Sequence, residues 1–226
     1  MMKLNTQLFG GRGADSGYGG GTHTGGGKRG PRTFDDKTKQ YKGMSIHEFE
    51  AAIRDKKSEY IGIFDKDGQL IVAGTSHNKG AVVVPTNHPD FSKAYTLTHN
   101  HPYYENRVIG GSFSEADVQN HLRLGLKGET RAVTNGPNEY AYIFRAKQGA
   151  KLDTTGMVSA ASKVGNKYAS TGQKAVDEVR KRLKAQGKSL NGKDNQVYIG
   201  AAKRLWKAAN VGQYGYEYID VTQKRW

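Results

Sequence analysis

Residues 59–75, EYIGIFDKDGQLIVAGT, contain a strong β-hairpin pattern, from which prediction of the fold can start. Two runs rich in β-branched and aromatic residues flank the pair Asp67-Gly68, and Asp-Gly in that setting is a strong short-range signal for a β-hairpin. The sequence therefore predicts two antiparallel strands joined by a tight turn. Asp65 and Asp67 resemble a fragment of a calcium loop, but the downstream Glu and the ligand spacing of such a loop are missing. The hairpin turn explains them.

Helices and further strands are predicted on both sides of this hairpin. Before it, Ser45 and Glu48 have the spacing of a capping box, which starts a helix over 45–56. The other predicted elements are strands at 81–85 and 93–99, a helix at 112–128 with Ser114 as its N-cap, and a hairpin of strands at 131–135 and 139–146. Strands mixed with helices predict an α/β or α+β domain over about residues 43–148.

The N-terminal segment has a different composition. Residues 10–30 contain eleven glycines in twenty-one positions. Glycine loses more backbone freedom on folding than any other residue, and this stretch offers almost nothing to bury in return. We therefore predict that residues 1–42 form a flexible, disordered arm. Its apolar tip, Leu4, Leu8 and Phe9, leaves a second interpretation open, in which the arm is a tether that docks on a partner.

Helical periodicity dominates from residue 155 onward. One long helix is predicted within 157–186, and a second over about 196–210 has a buried side made of Ile199, Ala202, Leu205 and Trp206. We therefore predict a basic helical extension over residues 149–226. Its many lysines are typical of a solvated helix face, and a face that contacts phosphate or a partner is the alternative.

The formal net charge is +14 over 226 residues, and the two ends of the chain carry it. Residues 1–42 have a net charge of +5, residues 43–150 are neutral, and residues 151–226 have +9. Strongly basic segments are typical of proteins that contact nucleic acid. We therefore assign any nucleic-acid binding to the C-terminal extension, and the neutral middle must be interpreted from its motifs.

Composition also excludes several classes of protein. Cysteine is absent, which excludes a disulfide scaffold, thiolate zinc sites and a cysteine nucleophile, so a metal would be held by His, Asp or Glu. No apolar run approaches about 18 residues, so no membrane span is predicted. The start, MMKLNTQLFGG, lacks the apolar core of a secretory signal. We expect a soluble protein that is not secreted through a signal peptide.

The segment with the clearest chemistry is Thr98-His99-Asn100-His101-Pro102, followed by Ser114 and Asp117 at the start of a helix. Two histidines one residue apart at the end of a strand place both imidazoles on one side of the chain. A carboxylate on the first turn of the next helix can reach back as a third ligand. Such a set with an open fourth position is the layout of a catalytic zinc site, in which the bound water has a pKa lowered towards about 7.

This order of residues resembles the signature of the JAMM (MPN+) metalloproteases: a Glu upstream, then His-x-His-Pro, then Ser-x-x-Asp. It is most similar to the bacterial and phage branch with RadC-like domains, over about residues 43–145. The resemblance implies a mixed central sheet flanked by helices, Zn²⁺ held by His99, His101 and Asp117, and hydrolysis of a peptide or isopeptide bond. It also implies that Ser114 stabilises the oxyanion and that Glu59 is the general base.

The spacing departs from the family pattern at one place. Twelve residues, 102–113, separate His101 from Ser114, where the family has around seven. The enlarged loop either shapes a substrate groove or marks a relative that has lost peptidase activity. Glu48 and Glu50 are competitors for the role of the base, but both are predicted at exposed helix positions. His121 is predicted to be exposed or to support the site from outside the ligand set.

Other zinc and hydrolase classes fit less well. The letters HNH suggest the HNH nucleases, but those enzymes spread the three residues over separate elements. A zinc nucleobase deaminase needs a Cys-x-x-Cys pair, which this chain lacks. A Ser-His-Asp hydrolase would need a G-x-S-x-G elbow, which does not occur. His77 and His88 lie in loop-like sequence and receive no role.

The two ends suggest a biological setting. MKLNTQLFGGRGADSG resembles the leader of phage structural and morphogenesis proteins, and LWKAANVGQYGYEYIDV resembles the end of phage-encoded proteins. We therefore expect a phage or prophage protein in the host cytoplasm or the virion, acting on a protein substrate or on phage structural proteins. The alternative is a non-catalytic head-assembly protein that uses a JAMM-like scaffold, with basic ends that bind nucleic acid or partner proteins.

Overall fold

The computed structural model describes residues 8–9, 33–78, 81–102, 113–134, 140–189 and 194–221, which form a mixed α/β fold. Its strands are β1 (Leu8–Phe9), β2 (Asp35–Asp36), β3 (Tyr60–Phe64), β4 (Leu70–Thr75), β5 (Val82–Val83), β6 (Thr96–His101), β7 (Glu129–Thr134), β8 (Tyr140–Ala146) and β9 (Tyr216–Asp220). Its helices are α1 (Thr38–Tyr41), α2 (Ile46–Ile53), α3 (Glu115–Leu124), α4 (Thr154–Ala185) and α5 (Asp194–Ala208). Short 3₁₀ turns cover Phe91–Lys93 and Val211–Tyr214.

Seven of the strands form one mixed sheet in the order β2-β4-β3-β6-β7-β8-β9. Neighbouring strands are antiparallel except β6 and β7, which are parallel and are joined through α3. Parallel neighbours need a crossover of this kind, because a short turn cannot bring the chain back to the same end of the sheet. The crossover places the start of α3 beside the carboxyl end of β6.

The predicted central hairpin is confirmed. β3 and β4 are antiparallel, and Gly68 takes the left-handed backbone conformation that the turn requires, with φ +77°. The Asp65 carboxylate accepts hydrogen bonds from the amides of Asp67 and Gln69, at 2.9 and 2.8 Å. The acidic residues of this loop therefore stabilise a turn.

Local signals also place two of the helices. Ser45 and Glu48 form the predicted capping box of α2, and Ser114 and Asp117 form a second one at the start of α3. α3 ends at Gly125, which is left-handed with φ +63°. Side chains at helix starts satisfy backbone amides that have no partner within the helix, so these boundaries are set by residues three apart.

The two faces of the sheet are covered differently. α1 and α2 pack on one face, where Phe49 and Ile53 have no exposed surface. α3, α4 and α5 cover the other face. The largest buried cluster lies there and is formed by Phe113, Val118, Ala132, Tyr142, Phe144, Met157, Ala160, Ala161, Val164, Trp206, Val211 and Tyr216.

Described residues of the predicted extension, among them Met157, Trp206 and Tyr216, pack in this same cluster. The two helices form close to the predicted positions, with Ala202 and Trp206 buried. The side chains of Tyr168 and Ile199 lie outside the described set. β9 pairs with β8 and becomes an edge strand of the sheet, which the sequence analysis did not predict. The apolar face of β8 packs in one cluster with residues of α3, α4, α5 and β9.

The chain also joins the fold earlier than the predicted start at residue 43. β2 pairs with β4, where Gly74 lacks a side chain that would overlap the carbonyl of Asp35. Tyr41 is 2% exposed and packs edge-on against Phe49.

Nearer the N-terminus, β1 of the predicted arm pairs antiparallel with β5. The backbone at Leu8 and Phe9 is therefore paired within this chain and not with a partner. Residues 1–7 and 10–32 of the predicted arm, with Leu4, lie outside the described residues. Within the described ranges, no helix has the length and apolar composition needed to cross a lipid bilayer.

Candidate metal centre

Three elements meet at the carboxyl end of β6 and bring together the residues predicted for the site. β6 carries His99 and His101, the first turn of α3 carries Asp117, and Glu59 lies directly before β3. β3 runs antiparallel to β6 with Ile61 opposite His99, so the start of β3 lies at the end of β6. The topology therefore gathers residues that are up to 58 positions apart in the sequence.

The imidazoles and the Asp117 carboxylate point into one buried space. His99 Nε2 and His101 Nε2 are 3.0 Å apart. His99 Nε2 lies 3.2 Å from Asp117 Oδ1, and His101 Nε2 lies 3.4 Å from Asp117 Oδ2. His99 and Asp117 have no exposed surface, and His101 is 7% exposed. The predicted sharing of one side of the chain by both histidines is confirmed.

Glu59 also lies close to the two histidines. One carboxylate oxygen of Glu59 and one ring nitrogen from each of His99 and His101 all lie within 4.8 Å of one another. Glu59 is 1% exposed, which is rare for a glutamate unless it has a specific partner or ligand. Glu59 and the two imidazoles can thus each offer one ligand atom to a shared cation, and Asp117 lies against the same two rings.

Ser114 is hydrogen-bonded to Asp117. Its amide and its hydroxyl both donate to Asp117 Oδ2, at 2.6 and 2.9 Å, and Ser114 Oγ accepts from the Asp117 amide at 3.3 Å. The capping box therefore holds one carboxylate oxygen, while Oδ1 is turned towards His99. Orientation of a ligand by a neighbouring hydrogen bond is typical of metal sites. The oxyanion role of Ser114 stays a prediction.

The protonation states suit a cation. Burial lowers the pKa of His99, although the nearby charge of Asp117 opposes this, and the imidazole is neutral at pH 7. Burial alone would raise the pKa of Asp117, but His99 and His101 outweigh it and hold that pKa well below its usual range. Metal ligands must be deprotonated, and the lowered pKa values of His99 and Asp117 favour the deprotonated form of each group.

The distances allow a test of which ion these donors fit. Ligands about 2.0–2.1 Å from a tetrahedral zinc ion lie about 3.3 Å from each other. The distances from His99 Nε2 to His101 Nε2 and to Asp117 Oδ1, 3.0 and 3.2 Å, are close to that value. Two nitrogens and carboxylate oxygen also suit a first-row divalent cation better than calcium, which prefers oxygen ligands alone. The residues fit a small divalent metal ion.

The expectation that Glu50 and His121 are exposed is wrong. Glu50 is 3% exposed, because it forms a two-point ion pair with Arg131 at 2.6 and 3.1 Å. It lies on the sheet face opposite His99, so it does not compete with Glu59. His121 is 2% exposed, and its Nδ1 lies 3.0 Å from Thr130 Oγ1 in the core. Glu48 is exposed, as predicted.

His77 and His88, which received no role from the sequence, form local contacts. His77 Nε2 lies 2.7 Å from Asp35 on the surface, and His88 Nδ1 accepts from the Asp90 amide. The enlarged loop falls on residues 103–112, which lie outside the described residues, so the proposed substrate groove stays a prediction.

One residue that supports the site was not predicted for that role. Trp206 on α5 donates from Nε1 to the carbonyl of Phe113 at 2.8 Å, and both side chains are buried. Phe113 directly precedes Ser114, so α5 holds the segment that starts α3. The only signal in the sequence was a tryptophan on an apolar helix face, and it does not reveal a partner 93 positions away.

Comparison of the chain with protein-family models, with curated proteins and with solved structures finds no match.

Proposed function

We propose that this chain is a JAMM-type, zinc-dependent hydrolase that cleaves a peptide or isopeptide bond. The observation that carries the proposal is the buried convergence of Glu59, His99 and His101 within 4.8 Å, with Asp117 at 3.2 and 3.4 Å from the two imidazoles. A motif of common residue types has little weight on its own. The proposal is supported because four buried residues from separate parts of the chain, Glu59, His99, His101 and Asp117, lie close together.

The roles of the residues follow from their surroundings. His99, His101 and Asp117 would hold the ion through their ring nitrogens and Asp117 Oδ1, because Oδ2 is engaged by Ser114. When bound, zinc would supply a Lewis acid that polarises a carbonyl group and lowers the pKa of a water molecule.

Glu59 would move the proton. It would accept a proton from the attacking water and pass it to the departing amine, as a general acid–base group does. Ser114 would stabilise the developing oxyanion, and to do so its hydroxyl must turn away from Asp117, to which it now donates. Its two tasks, capping α3 and binding the oxyanion, use the same oxygen atom.

The test separates metal binding from catalysis. Wild type should contain about one zinc ion per chain. His101→Ala should lose the ion and all turnover. Glu59→Gln should keep the zinc and the fold but lose about a hundred- to ten-thousand-fold in kcat, because an amide cannot accept the proton. Zinc content, together with cleavage of peptide and isopeptide substrates with and without a chelator, measures both effects.

Glu48→Gln is the matched control. It makes the same chemical change at an exposed position, and Gln also completes a capping box, so zinc content and turnover should equal those of wild type. Wild type that cleaves nothing suppressed by the chelator, or Glu59→Gln that is as fast as wild type, contradicts the hydrolase. Zinc binding without turnover would instead favour the non-catalytic head-assembly role.

A further inference from the structure

The backbone of Glu59 is anchored from two sides by long-range hydrogen bonds. Its amide donates to the carbonyl of Asn78 over 2.8 Å, and its carbonyl accepts from Thr75 Oγ1 over 2.7 Å. These bonds hold one polar atom in each of the two peptide groups that flank Glu59. The other two polar atoms are the carbonyl of Ser58 and the amide of Tyr60.

Asn100 holds both of those remaining atoms. Its Oδ1 accepts from the Tyr60 amide at 2.6 Å, and its Nδ2 donates to the carbonyls of Ser58 at 3.1 Å and Lys56 at 3.3 Å. Only one orientation of the amide satisfies all three contacts, since an N–H needs an acceptor and a carbonyl needs a donor. Asn100 has no exposed surface, so these bonds do not compete with bulk water.

The position of Asn100 on β6 connects these bonds to the candidate centre. It lies between His99 and His101, and because side chains alternate along a strand, it points to the opposite face of the sheet. One strand therefore presents both imidazoles on one face and the anchor of the Glu59 segment on the other. A shift of the segment against β6 would move the carboxylate relative to both rings.

We infer that Asn100 is a positioning residue, which sets the place of the Glu59 carboxylate at the metal centre without touching the reacting atoms. The inference rests on the proposed role of Glu59 as the general base. A proton acceptor must lie within hydrogen-bond reach of the proton it takes, and a displacement of about 1 Å can reduce a rate by about a hundredfold.

The test compares Asn100→Ala with Thr98→Val as a matched control. Thr98 is also buried on β6 and on the same face, but its hydroxyl donates to Glu50 and not to the Glu59 segment. Asn100→Ala should lower kcat about ten- to a hundredfold with KM and zinc content unchanged. Thr98→Val should lose stability and keep kcat. Asn100→Asp, which keeps the acceptor for Tyr60 and loses the donor, should show the same defect if the alanine variant does not fold.

Two further readouts separate positioning from a loss of stability. In the Glu59→Gln background, Asn100→Ala should cause no further loss of kcat, because the base that it positions is already gone. Hydrogen exchange of the Tyr60 amide should be about tenfold faster or more in Asn100→Ala, and unchanged in Thr98→Val.

Wild-type kcat in Asn100→Ala, or equal loss of kcat in both backgrounds, would overturn the positioning role. If the wild-type protein shows no turnover, the proposed function fails, and the anchoring by Asn100 is then decided by Tyr60 exchange alone. Slow exchange of that amide in Asn100→Ala would overturn the anchoring as well.

Discussion

At the scale of single residues, burial sets the charge of the histidines around the candidate centre. His99 and His121 lie on the same side of the sheet, and burial lowers the pKa of each below 6.5. Their neighbours differ, since His99 faces the Asp117 carboxylate and His121 lies edge-on to the rings of Phe144 and Tyr216 at 5.1 and 6.5 Å. Both imidazoles are therefore neutral at pH 7, one as a candidate ligand and one as a member of the core.

His121 leads to a prediction of pH-dependent stability. Burial lowers its pKa to about 4, whereas the unfolded chain has the ordinary value of 6.5. Between these pH values the unfolded state binds a proton that the folded state does not, so the free energy of unfolding should fall as the pH falls from 6.5 to 4. The full loss is about 3 kcal/mol and stops below pH 4, where the folded state also takes up the proton.

Urea unfolding of wild type and His121→Gln at pH 7 and pH 4.5 measures this effect. Gln cannot take up the proton. The free energy of unfolding of the variant should therefore fall by about 2–3 kcal/mol less than that of wild type between the two pH values. Other groups titrate equally in both proteins and cancel in the comparison. Equal losses in the two proteins would show that His121 is not the cause.

At the scale of elements, close packing between helices supports the start of α3. Gly165 on α4 lacks a side chain that would overlap the Glu115 carboxylate, and Glu115 accepts from Ser162 at 2.9 Å. α4 therefore lies directly against the first turn of α3. Trp206 adds a hydrogen bond from α5 to the residue before that turn. The C-terminal helices thus support the segment that presents Ser114 and Asp117.

Trp206→Phe tests this support. The variant keeps an aromatic ring but removes the N–H, which leaves the buried carbonyl of Phe113 without its donor and should reduce stability by about 1–3 kcal/mol. Because Phe113 precedes the capping box, zinc affinity should fall as well. Chelator competition measures the affinity, and thermal unfolding measures the stability.

Val176→Ala is the control for this variant. Val176 is 1% exposed and packs with Val179, Leu183 and Val197, in a cluster separate from the one that contains Phe113 and Trp206. Its truncation should also reduce stability but leave zinc affinity unchanged. If both variants bind zinc as wild type does, α5 stabilises the fold without influencing the centre.

At the scale of the whole molecule, the chain is folded around one sheet that draws strands from both ends. β2, near the N-terminus, and β9, near the C-terminus, form its two edges. A row of charged residues also crosses the sheet on the face that α2 covers. Glu129 accepts hydrogen bonds there from Arg131 at 3.0 Å and from Arg145 at 2.7 Å. Arg145 also donates to Glu217 on β9, at 2.5 Å. The C-terminal part is therefore joined to the sheet on both faces.

Truncation tests this organisation. A chain that ends at residue 148 loses Met157, Trp206 and Tyr216, which are 0%, 1% and 4% exposed, and it uncovers the rings of Tyr142 and Phe144. Each large buried side chain contributes about 1.5–3 kcal/mol, so losing or uncovering these five costs about 8–15 kcal/mol, which is comparable with the usual margin of about 5–15 kcal/mol, and the truncated chain should not fold. Circular dichroism and urea unfolding measure this.

A chain that starts at residue 33 is the control for that truncation. It keeps every strand of the seven-stranded sheet and should unfold cooperatively. Cooperative unfolding of the chain that ends at 148, with the stability of the full-length protein, would show that the sheet folds without residues 149–226.

Features that depend on neighbours in the chain could be predicted from the sequence alone. The turn at Asp67-Gly68, the capping boxes at Ser45 and Ser114, and the shared side of His99 and His101 all follow from residues one to three positions apart. A turn, a helix cap and the alternation of a strand are local properties, so their signals survive without knowledge of the fold.

Contacts between distant residues could not be predicted from the sequence, because they depend on how the strands and helices pack. The burial of Glu50 depends on Arg131, 81 positions later, and the edge strand β9 pairs with β8, 70 or more positions earlier in the chain. The carboxylate of Glu59 reaches the histidines because β3 pairs with β6, and Asn100 anchors it from 40 positions away. These pairings follow from the order of strands in the sheet, which results from many weak long-range contacts and leaves no local mark in the sequence.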